Sequence, residues 1–341
     1  MITIDQGEIA KLASLLGDGA RRIVLVGHTN PDGDAIGAML GWGEVLSARG
    51  HAVTCVVPNR YPSFLDWMEG IGQIMIFKEN PDPVAEAIAG AEAIFSIDFN
   101  QVNRLEALGE VIVSNTSAVK VLIDHHLDPP ITFDIIFSST ESSSTSYLVY
   151  NIVSRLYGLE VITRRVAEAL YVGMMTDTGN FSFGNLTAGL FRAVADMVDR
   201  GINIPSINNR VYNSYSEGRM RLLGYVLGTK MKIIEPWQVA YITLDEEELR
   251  RFDFQMGDTE GFVNYPLTIK GMQMSAMFIE NRRFIRVSLR SRGSVDVNIF
   301  ARRYFDGGGH RNAAGGKSYD TMEQTVERFH KAVAEFFATD Q

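Results

Sequence analysis

The chain has 341 residues, of which 46% are hydrophobic and 21% charged, a composition typical of a globular protein with about two domains. Its net charge of −9 excludes a protein that coats long nucleic acid through a general basic field, although a local basic patch is compatible with it. The single cysteine, Cys55, excludes an intramolecular disulfide and a cysteine-rich zinc site.

The N-terminal residues lack the basic and apolar regions of a signal peptide. No apolar run approaches the ~20 residues that a membrane span needs. We therefore expect a cytoplasmic protein with no membrane partner.

The first part of the chain alternates apolar runs with segments of helical periodicity. Strands are predicted at 21–27, 52–57, 74–77, 93–99, 119–123 and 131–137. Helices are predicted at 7–19, between the loop at 27–38 and Gly50, at 83–89, from the serine-rich stretch at 138–145 to Tyr157, and at 163–175. The serine-rich stretch itself is interpreted as a flexible loop and helix cap. This alternation is typical of an α/β fold with a mostly parallel sheet flanked by helices.

The remainder of the chain has a different character. Residues 1–186 are predicted as the first domain, 187–228 as a helical linker with Gly201 as a helix cap, and 229–341 as a smaller α/β domain. The predicted elements of that domain are strands at 238–244, 272–280 and 283–290, a helix capped by Ser294, a loop containing Gly307, Gly308, Gly309 and His310, and a final helix at 320–338.

Acidic residues and histidines follow several predicted strands of the first domain. They are His28, Asp32, Asp34, Asp98, Asp124, His125, His126 and Asp177. Each aspartate alone is most often a turn or cap residue, but four segments bring these side chains to one sheet edge, where ligands bind. Repulsion between so many acids would be costly without a cation. Oxygen and imidazole ligands suit Mn²⁺ or Mg²⁺, with Co²⁺ or Zn²⁺ as alternatives, and their number suggests two ions that share a carboxylate.

These motifs, in this order, resemble the DHH phosphoesterase superfamily. The resemblance rests on a His-x-x-x-Asp-x-Asp motif at residues 28–34, on Asp98, on Asp124-His125-His126 after a strand, and on Asp177. The Gly-Gly-Gly-His run in a separate C-terminal domain is similar to the DHHA1 substrate-binding module. The resemblance covers nearly the whole chain. It is strongest to the stand-alone oligoribonuclease and 3′-phosphoadenosine 5′-phosphate (pAp) phosphatase group, whose members are sometimes labelled exopolyphosphatase-related.

The resemblance implies a role for each of these residues. Two divalent cations, with Mn²⁺ expected, would be held by His28 and Asp32 on one side and by Asp34, His125 and Asp177 on the other, with Asp98 bridging them. His126 would face the scissile phosphate, and Asp124 would orient the histidines from behind. The implied reaction is hydrolysis of short 5′-phosphorylated oligoribonucleotides or of pAp by a water that both ions share.

The second domain carries a local basic region, in contrast with the acidic chain. Residues 281–311 contain eight arginines and two aspartates. Several of these arginines are interpreted as a solvated face, but Arg290, beside Ser291 at a strand end, has a planar fork that suits a terminal phosphate. The glycines at 307–309 would let backbone N–H groups approach a phosphate or sugar, to which His310 could also donate.

Several alternatives stay open from the sequence. A linear or cyclic dinucleotide phosphodiesterase would share the chemistry, although the sensory and membrane modules often joined to such enzymes are absent from this sequence. The Gly-Gly-Gly-His run argues against an inorganic pyrophosphatase or exopolyphosphatase, and the length argues against a repair-type exonuclease. A catalytically silent nucleotide sensor would have a substituted ligand position, and no ligand position is substituted here. Long duplex DNA is not an expected partner, and a homodimer is compatible with the sequence.

Overall fold

A computed structural model describes residues 2–17, 19–127, 132–255 and 257–339. The chain forms two compact units, Met1–Ser214 and Tyr215–Gln341. Among the described residues, no helix is both long and apolar enough to cross a membrane.

A six-stranded parallel sheet with the order β3-β2-β1-β4-β5-β6 lies at the centre of the first unit. Its strands are β1 (Arg22–Val26), β2 (Ala52–Val57), β3 (Met75–Ile76), β4 (Ala93–Ile97), β5 (Val119–Asp124) and β6 (Ile135–Ser138). The strand order reverses between β1 and β4, and this reversal opens a crevice at the carboxyl ends of the strands, where α/β sheets bind ligands. The predicted α/β fold with a parallel sheet is confirmed.

Helices cover both faces of this sheet. They are α1 (Gln6–Gly17), α2 (Gly33–Ala48), α3 (Pro81–Ala89), α4 (Leu108–Ser114), α5 (Thr145–Tyr157), α6 (Arg164–Asp177), α7 (Ala188–Asp199) and α8 (Ile204–Tyr212). On one face, α3 and α4 bury Val84 and Ile112 against the sheet. The other helices cover the second face, where Trp42 of α2 meets Phe95 of β4 edge-on with 6.1 Å between ring centroids. The strands are therefore buried on both sides, as their continuous apolar runs require.

The second unit has a mixed six-stranded sheet with the order β11-β12-β10-β9-β8-β7. Its strands are β7 (Lys232–Ile234), β8 (Val239–Leu244), β9 (Met274–Asn281), β10 (Phe284–Ser291), β11 (Gly308–His310) and β12 (Ala313–Ser318), and its helices are α9 (Glu217–Tyr225), α10 (Glu246–Arg251), α11 (Val297–Tyr304) and α12 (Met322–Thr339). On one face, Phe300 of α11 and Phe329 of α12 pack on Phe278 of β9. On the other face, Leu222 and Phe262 pack on the sheet.

Several strands are shorter than predicted, β3 and β6 most clearly. β3 pairs only with the last two residues of β2, because β2 ends before Pro58. β6 begins at Ile135 instead of 131, since the Asp134 carboxylate accepts a hydrogen bond from the Lys120 N–H at its entry. Residue 131 lies outside the described residues.

The segment predicted as a helical linker, 187–228, forms three helices that are divided between the units. α7 ends before Gly201, whose φ of +86° takes the backbone out of the helix as predicted. Leu190 of α7 and Ile207 of α8 are buried in the core of the first unit, whereas α9 belongs to the second.

Two local predictions for the second domain are wrong. The cap of α11 is Asp296 rather than Ser294, because the Asp296 carboxylate accepts from the N–H groups of Asn298 and Ile299 at 3.0 and 3.1 Å. The residues Gly308–His310 form the edge strand β11 rather than a loop, because they pair with β12.

Candidate metal centre

The loop after β1 presents three of the predicted ligands. His28 is buried and its Nδ1 lies 2.9 Å from the Thr29 carbonyl, so its Nε2 faces the crevice. Asp32 caps α2, with its Oδ1 accepting from the N–H groups of Asp34 and Ala35 at 3.0 and 3.1 Å. Its Oδ2 remains for a ligand. The Pro-Asp-Gly-Asp sequence therefore starts α2 and also places predicted metal ligands at the crevice.

Asp98 follows β4 and lies between two groups of side chains. Its Oδ2 is 3.5 Å from His28 Nε2, and its Oδ1 is 3.5 Å from His125 Nε2. The Asp98 backbone has a φ of +66°, a left-handed conformation that is unfavourable for a residue with a side chain and that is found at functional sites. The two oxygens of this buried carboxylate thus face different halves of the crevice.

The Asp-His-His motif begins at the last residue of β5 and supplies the second half. His125 Nε2 lies 3.4 Å from Asp177 Oδ2 and 3.8 Å from Asp34 Oδ2, while its Nδ1 is 3.3 Å from the Ser142 carbonyl. Asp177, predicted to follow its helix, is the last residue of α6. These three predicted ligands therefore lie directly after β5, at the end of α6 and in α2.

His126, the third residue of this motif, has a different partner from His125. His126 Nδ1 lies 2.7 Å from Oδ1 of Asp124, which is fully buried. Oδ2 of Asp124 has no hydrogen-bond partner among the described residues. Asp124 is therefore placed to orient His126.

The predicted metal ligands form two compact sets. Within each set, one ligand atom per residue lies within 4.8 Å of the others: His28, Asp32 and Asp98 in the first, and Asp34, His125 and Asp177 in the second. A further set with the same spacing contains Asp98, Asp124 and His126. The structure therefore brings together all eight residues that the sequence placed at this edge.

Sequence reasoning missed the role of the serine-rich stretch. Residues 142–146 are buried rather than flexible, and Ser144 caps α5, as the cap interpretation predicted. The Thr145 and Ser146 N–H groups donate to Asp34, and the Thr145 hydroxyl donates to Asp98 Oδ1 at 2.8 Å. A hydroxyl-rich helix start is a signal that could have indicated these contacts.

Two glycines hold α2, α5 and α6 close together at this site, and the sequence analysis did not identify them. A Cβ on Gly173 of α6 would lie 1.9 Å from Ser146 Oγ and 2.7 Å from Asp34 Oδ1. A Cβ on Gly37 of α2 would lie 2.4 Å from the Ala169 carbonyl. A larger residue at either position would displace groups that hold the metal ligands.

The predicted substrate-binding residues of the second unit fall into two groups. Arg290 of β10 and His310 of β11 both pair with Ala313 of β12, so their side chains lie on one face of the sheet. Ser291 faces the other way, and its hydroxyl donates to the Val295 carbonyl at 2.6 Å. Ser291 therefore supports the loop after β10, in contrast with the expected position beside Arg290.

The glycines at 307–309 have packing roles of their own. A Cβ on Gly307 would lie 1.9 Å from the Gly315 carbonyl, and one on Gly309 would lie 2.6 Å from the Ala313 carbonyl. The Gly309 N–H donates to Asn298 Oδ1 at 3.0 Å. This N–H is therefore already engaged, and Gly308 is the glycine that shares a face with Arg290 and His310.

Comparison with known families agrees with this arrangement. Residues 22–174 match the DHH family N-terminal domain, and residues 236–339 match the DHHA1 domain. The chain belongs to the DHH family of metal-dependent phosphoesterases. The family predicted from the motifs is thus confirmed.

Relatives of this DHH protein extend over nearly its whole length. The bifunctional oligoribonuclease and PAP phosphatase NrnA of Thermus thermophilus is 29% identical over 316 residues, which are 92% of this chain and 89% of that protein. The protein of the same name from Bacillus subtilis is 26% identical over 306 residues, covering 88% and 90% of the two chains. The crystal structure of an exopolyphosphatase-related protein from Bacteroides fragilis is 38% identical, covers 98% of both chains and superposes with a TM-score of 0.92.

The electrostatics of the DHH site fit divalent cations. Burial raises the pKa of Asp34 well above its ordinary value, and the Asp98 and Asp177 carboxylates add to the shift. Burial also raises the pKa of Asp177 to about 6. Burial lowers the pKa of His125, but the surrounding carboxylates, led by Asp177, raise it to about 9. Without a cation the cluster must therefore retain protons, and a divalent ion would replace them.

Proposed function

We propose that this protein hydrolyses phosphoester bonds in short oligoribonucleotides and in pAp with two divalent cations. The observation that carries the proposal is the position of Asp98, whose two oxygens lie 3.5 Å from His28 and 3.5 Å from His125, respectively. The names of the relatives from Thermus and Bacillus support the substrate class.

Each cation would be bound by both carboxylate oxygens and imidazole nitrogens, and Asp98 would bind both cations. The first ligand set is His28, Asp32 and Asp98. The second is Asp34, His125 and Asp177, which Asp98 would join through the oxygen that lies 3.5 Å from His125 Nε2. Mn²⁺ suits carboxylate oxygens combined with imidazole, and Mg²⁺, Co²⁺ and Zn²⁺ are alternatives. When bound, the cations neutralise charge that builds up on the phosphate oxygens and acidify the attacking water.

His126 would act on the substrate directly. Its Nδ1 lies 2.7 Å from Asp124 Oδ1, which fixes the ring, and Nε2 would contact a phosphate oxygen. His126 would then contact the scissile phosphate where negative charge accumulates during hydrolysis.

On the second unit, Arg290 and His310 would contact a phosphate or ribose of the substrate from one face of the sheet. Gly308 lies on that face, whereas Ser291, Gly307 and Gly309 would support it through their packing. The acidic chain and the small basic area favour short single-stranded substrates over long duplexes, whose binding needs many phosphate contacts. A cytoplasmic location is part of the proposal, in keeping with a single cysteine.

A substrate panel tests this function. pAp, a 5′-phosphorylated diribonucleotide, a cyclic dinucleotide and pyrophosphate are incubated with Mn²⁺ and the wild type, Asp98→Ala or Asp199→Ala. Asp199 is exposed at the end of α7 and serves as the matched control. We expect the wild type and D199A to hydrolyse pAp and the diribonucleotide, and D98A to lose at least about a hundredfold in rate. Equal rates for D98A, or a preference for pyrophosphate, would contradict the proposal.

A further inference from the structure

The segment after β4 crosses the carboxyl edge of the first sheet and is held at both ends. Beyond Asp98, the Asn100 side-chain amide donates to the Leu127 carbonyl at 2.9 Å. At the far end, the Thr29 N–H donates to the Arg104 carbonyl at 2.8 Å. Since Leu127 follows the Asp-His-His motif and Thr29 follows His28, this segment spans the metal centre from one half to the other.

The backbone at Arg104 is fixed by local packing. Val102–Leu105 forms a short 3-10 helix, and the Leu105 side chain is buried. A Cβ on Gly109 of α4 would lie 2.6 Å from Val102 Cγ1, so the glycine allows α4 to approach this helix closely. Arg104 itself is exposed. A long cationic side chain is therefore presented to solvent from a rigid base.

The charge of Arg104 acts on the first half of the metal centre. Burial and then the Arg104 charge lower the pKa of His28, while the Asp98 and Asp32 carboxylates raise it and determine the net direction. The hydrogen bond from the Thr29 N–H to the Arg104 carbonyl places Arg104 beside the half of the centre that contains His28. A positive charge at this place opposes cation binding unless an anion lies between them.

Other basic residues on neighbouring loops already have anionic partners. Arg60 pairs with Glu79 at 3.5 Å, and Lys78 pairs with Glu106 at 2.9 Å. Within the part of the chain that the structure describes, Arg104 has no side-chain hydrogen bond or ion pair. Of these three basic side chains, Arg104 is the one for which the described residues provide no partner.

We propose that Arg104 binds a non-bridging phosphate oxygen of the substrate on the His28 side of the metal centre. A guanidinium fork matches two phosphate oxygens and carries a permanent charge. A bound phosphate would lie between this cation and the metal ligands and so relieve the repulsion between them. The identity of the phosphate as part of a nucleotide rests on the proposed function.

The charge of the phosphate group sets how strongly Arg104 contributes. The phosphate that is hydrolysed differs between the two substrates. In pAp it is the 3′-phosphomonoester, which carries close to two negative charges at neutral pH, whereas in the diribonucleotide it is the internal phosphodiester, which carries one. Arg104 therefore favours the monoester over the diester. Removing it shifts the preference of the enzyme from pAp towards the diribonucleotide.

Three variants test this assignment in the Mn²⁺-loaded protein. They are Arg104→Ala, Arg104→Lys and the control Arg164→Ala, whose arginine is exposed at the start of α6 and pairs with Glu168 at 3.0 Å. Calorimetry measures the binding of inorganic phosphate and, separately, of Mn²⁺ alone. We expect phosphate affinity to fall about tenfold to a hundredfold in R104A and less in R104K, with R164A unchanged. Mn²⁺ affinity should stay equal or increase in R104A, since a repelling charge is removed.

Kinetics complete the test. In R104A, KM for pAp should rise by more than KM for the diribonucleotide. Unchanged phosphate affinity in R104A would overturn the assignment, and so would a loss of Mn²⁺ affinity, which would show that Arg104 acts through the Thr29 loop. If the wild type hydrolyses neither substrate and R104A still loses phosphate binding, the proposed function fails while the Arg104 assignment stands.

Discussion

The backbone N–H of Thr145 donates a hydrogen bond to Oδ2 of Asp34 at 2.6 Å, across 111 residues of sequence. The next N–H, from Ser146, donates to the other carboxylate oxygen at 2.9 Å. Asp34 therefore lies at the N-terminus of α5, where the partial positive charge of the helix stabilises a carboxylate. This predicted metal ligand and the helix that holds it come from different parts of the fold.

The Thr145 hydroxyl provides a first test of this support. Thr145→Val removes the donor to Asp98 Oδ1 but keeps the backbone N–H and the side-chain shape. We expect Mn²⁺ affinity to fall about tenfold to a hundredfold, because the bridging carboxylate loses its orienting bond. The control Thr54→Val, on β2, should leave the Mn²⁺ affinity unchanged. Equal Mn²⁺ affinities for both variants by calorimetry would show that this hydroxyl does not orient Asp98.

Gly173 tests the packing between α2, α5 and α6. Gly173→Ala places a Cβ within 1.9 Å of Ser146 Oγ, so the helices must separate at Asp34. We expect a loss of about 1–3 kcal/mol in the free energy of unfolding and a marked fall in kcat. Gly17→Ala, where a Cβ meets nothing within 4 Å, is the control. Chemical denaturation with matched activity assays measures both effects, and a fully active, stable G173A would refute the packing argument.

The clustering of the predicted metal ligands could be anticipated from the sequence because several of them follow strand ends. His28, Asp98 and the Asp-His-His motif each come directly after an apolar run, and parallel strands bring such positions to one edge. The supporting residues carry no such signal. Thr145 and Gly173 act through contacts between helices distant in sequence, and no local pattern reports those contacts.

In the second unit, too, contacts between distant segments could not be predicted from local sequence patterns. The glycines at 307–309 suggest a loop by composition, but Gly308 and Gly309 lie in β11, because Gly315 and Gly316 on β12 leave room for close pairing. Alternation along β10 places Arg290 on the face opposite the buried Leu289. It also places Ser291 on the opposite face, where the hydroxyl is engaged by Val295.

The metal-free protein should become less stable as the pH rises. Asp177 and His125 have pKa values raised to about 6 and about 9, so the folded state holds these protons more tightly than the unfolded chain does. Their stabilisation is present at low pH and is lost between about 4 and 6 for Asp177 and between about 6.5 and 9 for His125. We expect Tm in EDTA to fall from pH 6.5 to 9, and His125→Gln to flatten this fall.

Mn²⁺ should have the opposite pH dependence, because the ligands must lose protons to bind it. The increase in Tm caused by Mn²⁺ should therefore be larger at pH 8.5 than at pH 6. Differential scanning fluorimetry across this range measures both trends. A rise in Tm with pH in EDTA would contradict the proposed proton-holding cluster.

Arg290 and Ser291 should respond differently to substitution. Arg290→Ala should raise KM for pAp by about tenfold or more with little change in kcat, because a charge-assisted contact to the substrate is lost. Ser291→Ala should mainly lower Tm, since its hydroxyl bonds the Val295 carbonyl and receives the Asn312 amide. Arg282→Ala, in the exposed turn before β10, is the control. An R290A defect confined to kcat would argue against anchoring.

The central claim is that Asp98 is shared by two cations, and the number of Mn²⁺ ions bound per chain tests it most directly. Equilibrium dialysis of the wild type and of Asp98→Ala, with Asp199→Ala as control, gives this number and the affinities. The arrangement of ligands around Asp98 predicts two ions in the wild type and in D199A, and weakened binding of both ions in D98A. One ion in the wild type, or two bound with unchanged affinity in D98A, would contradict it.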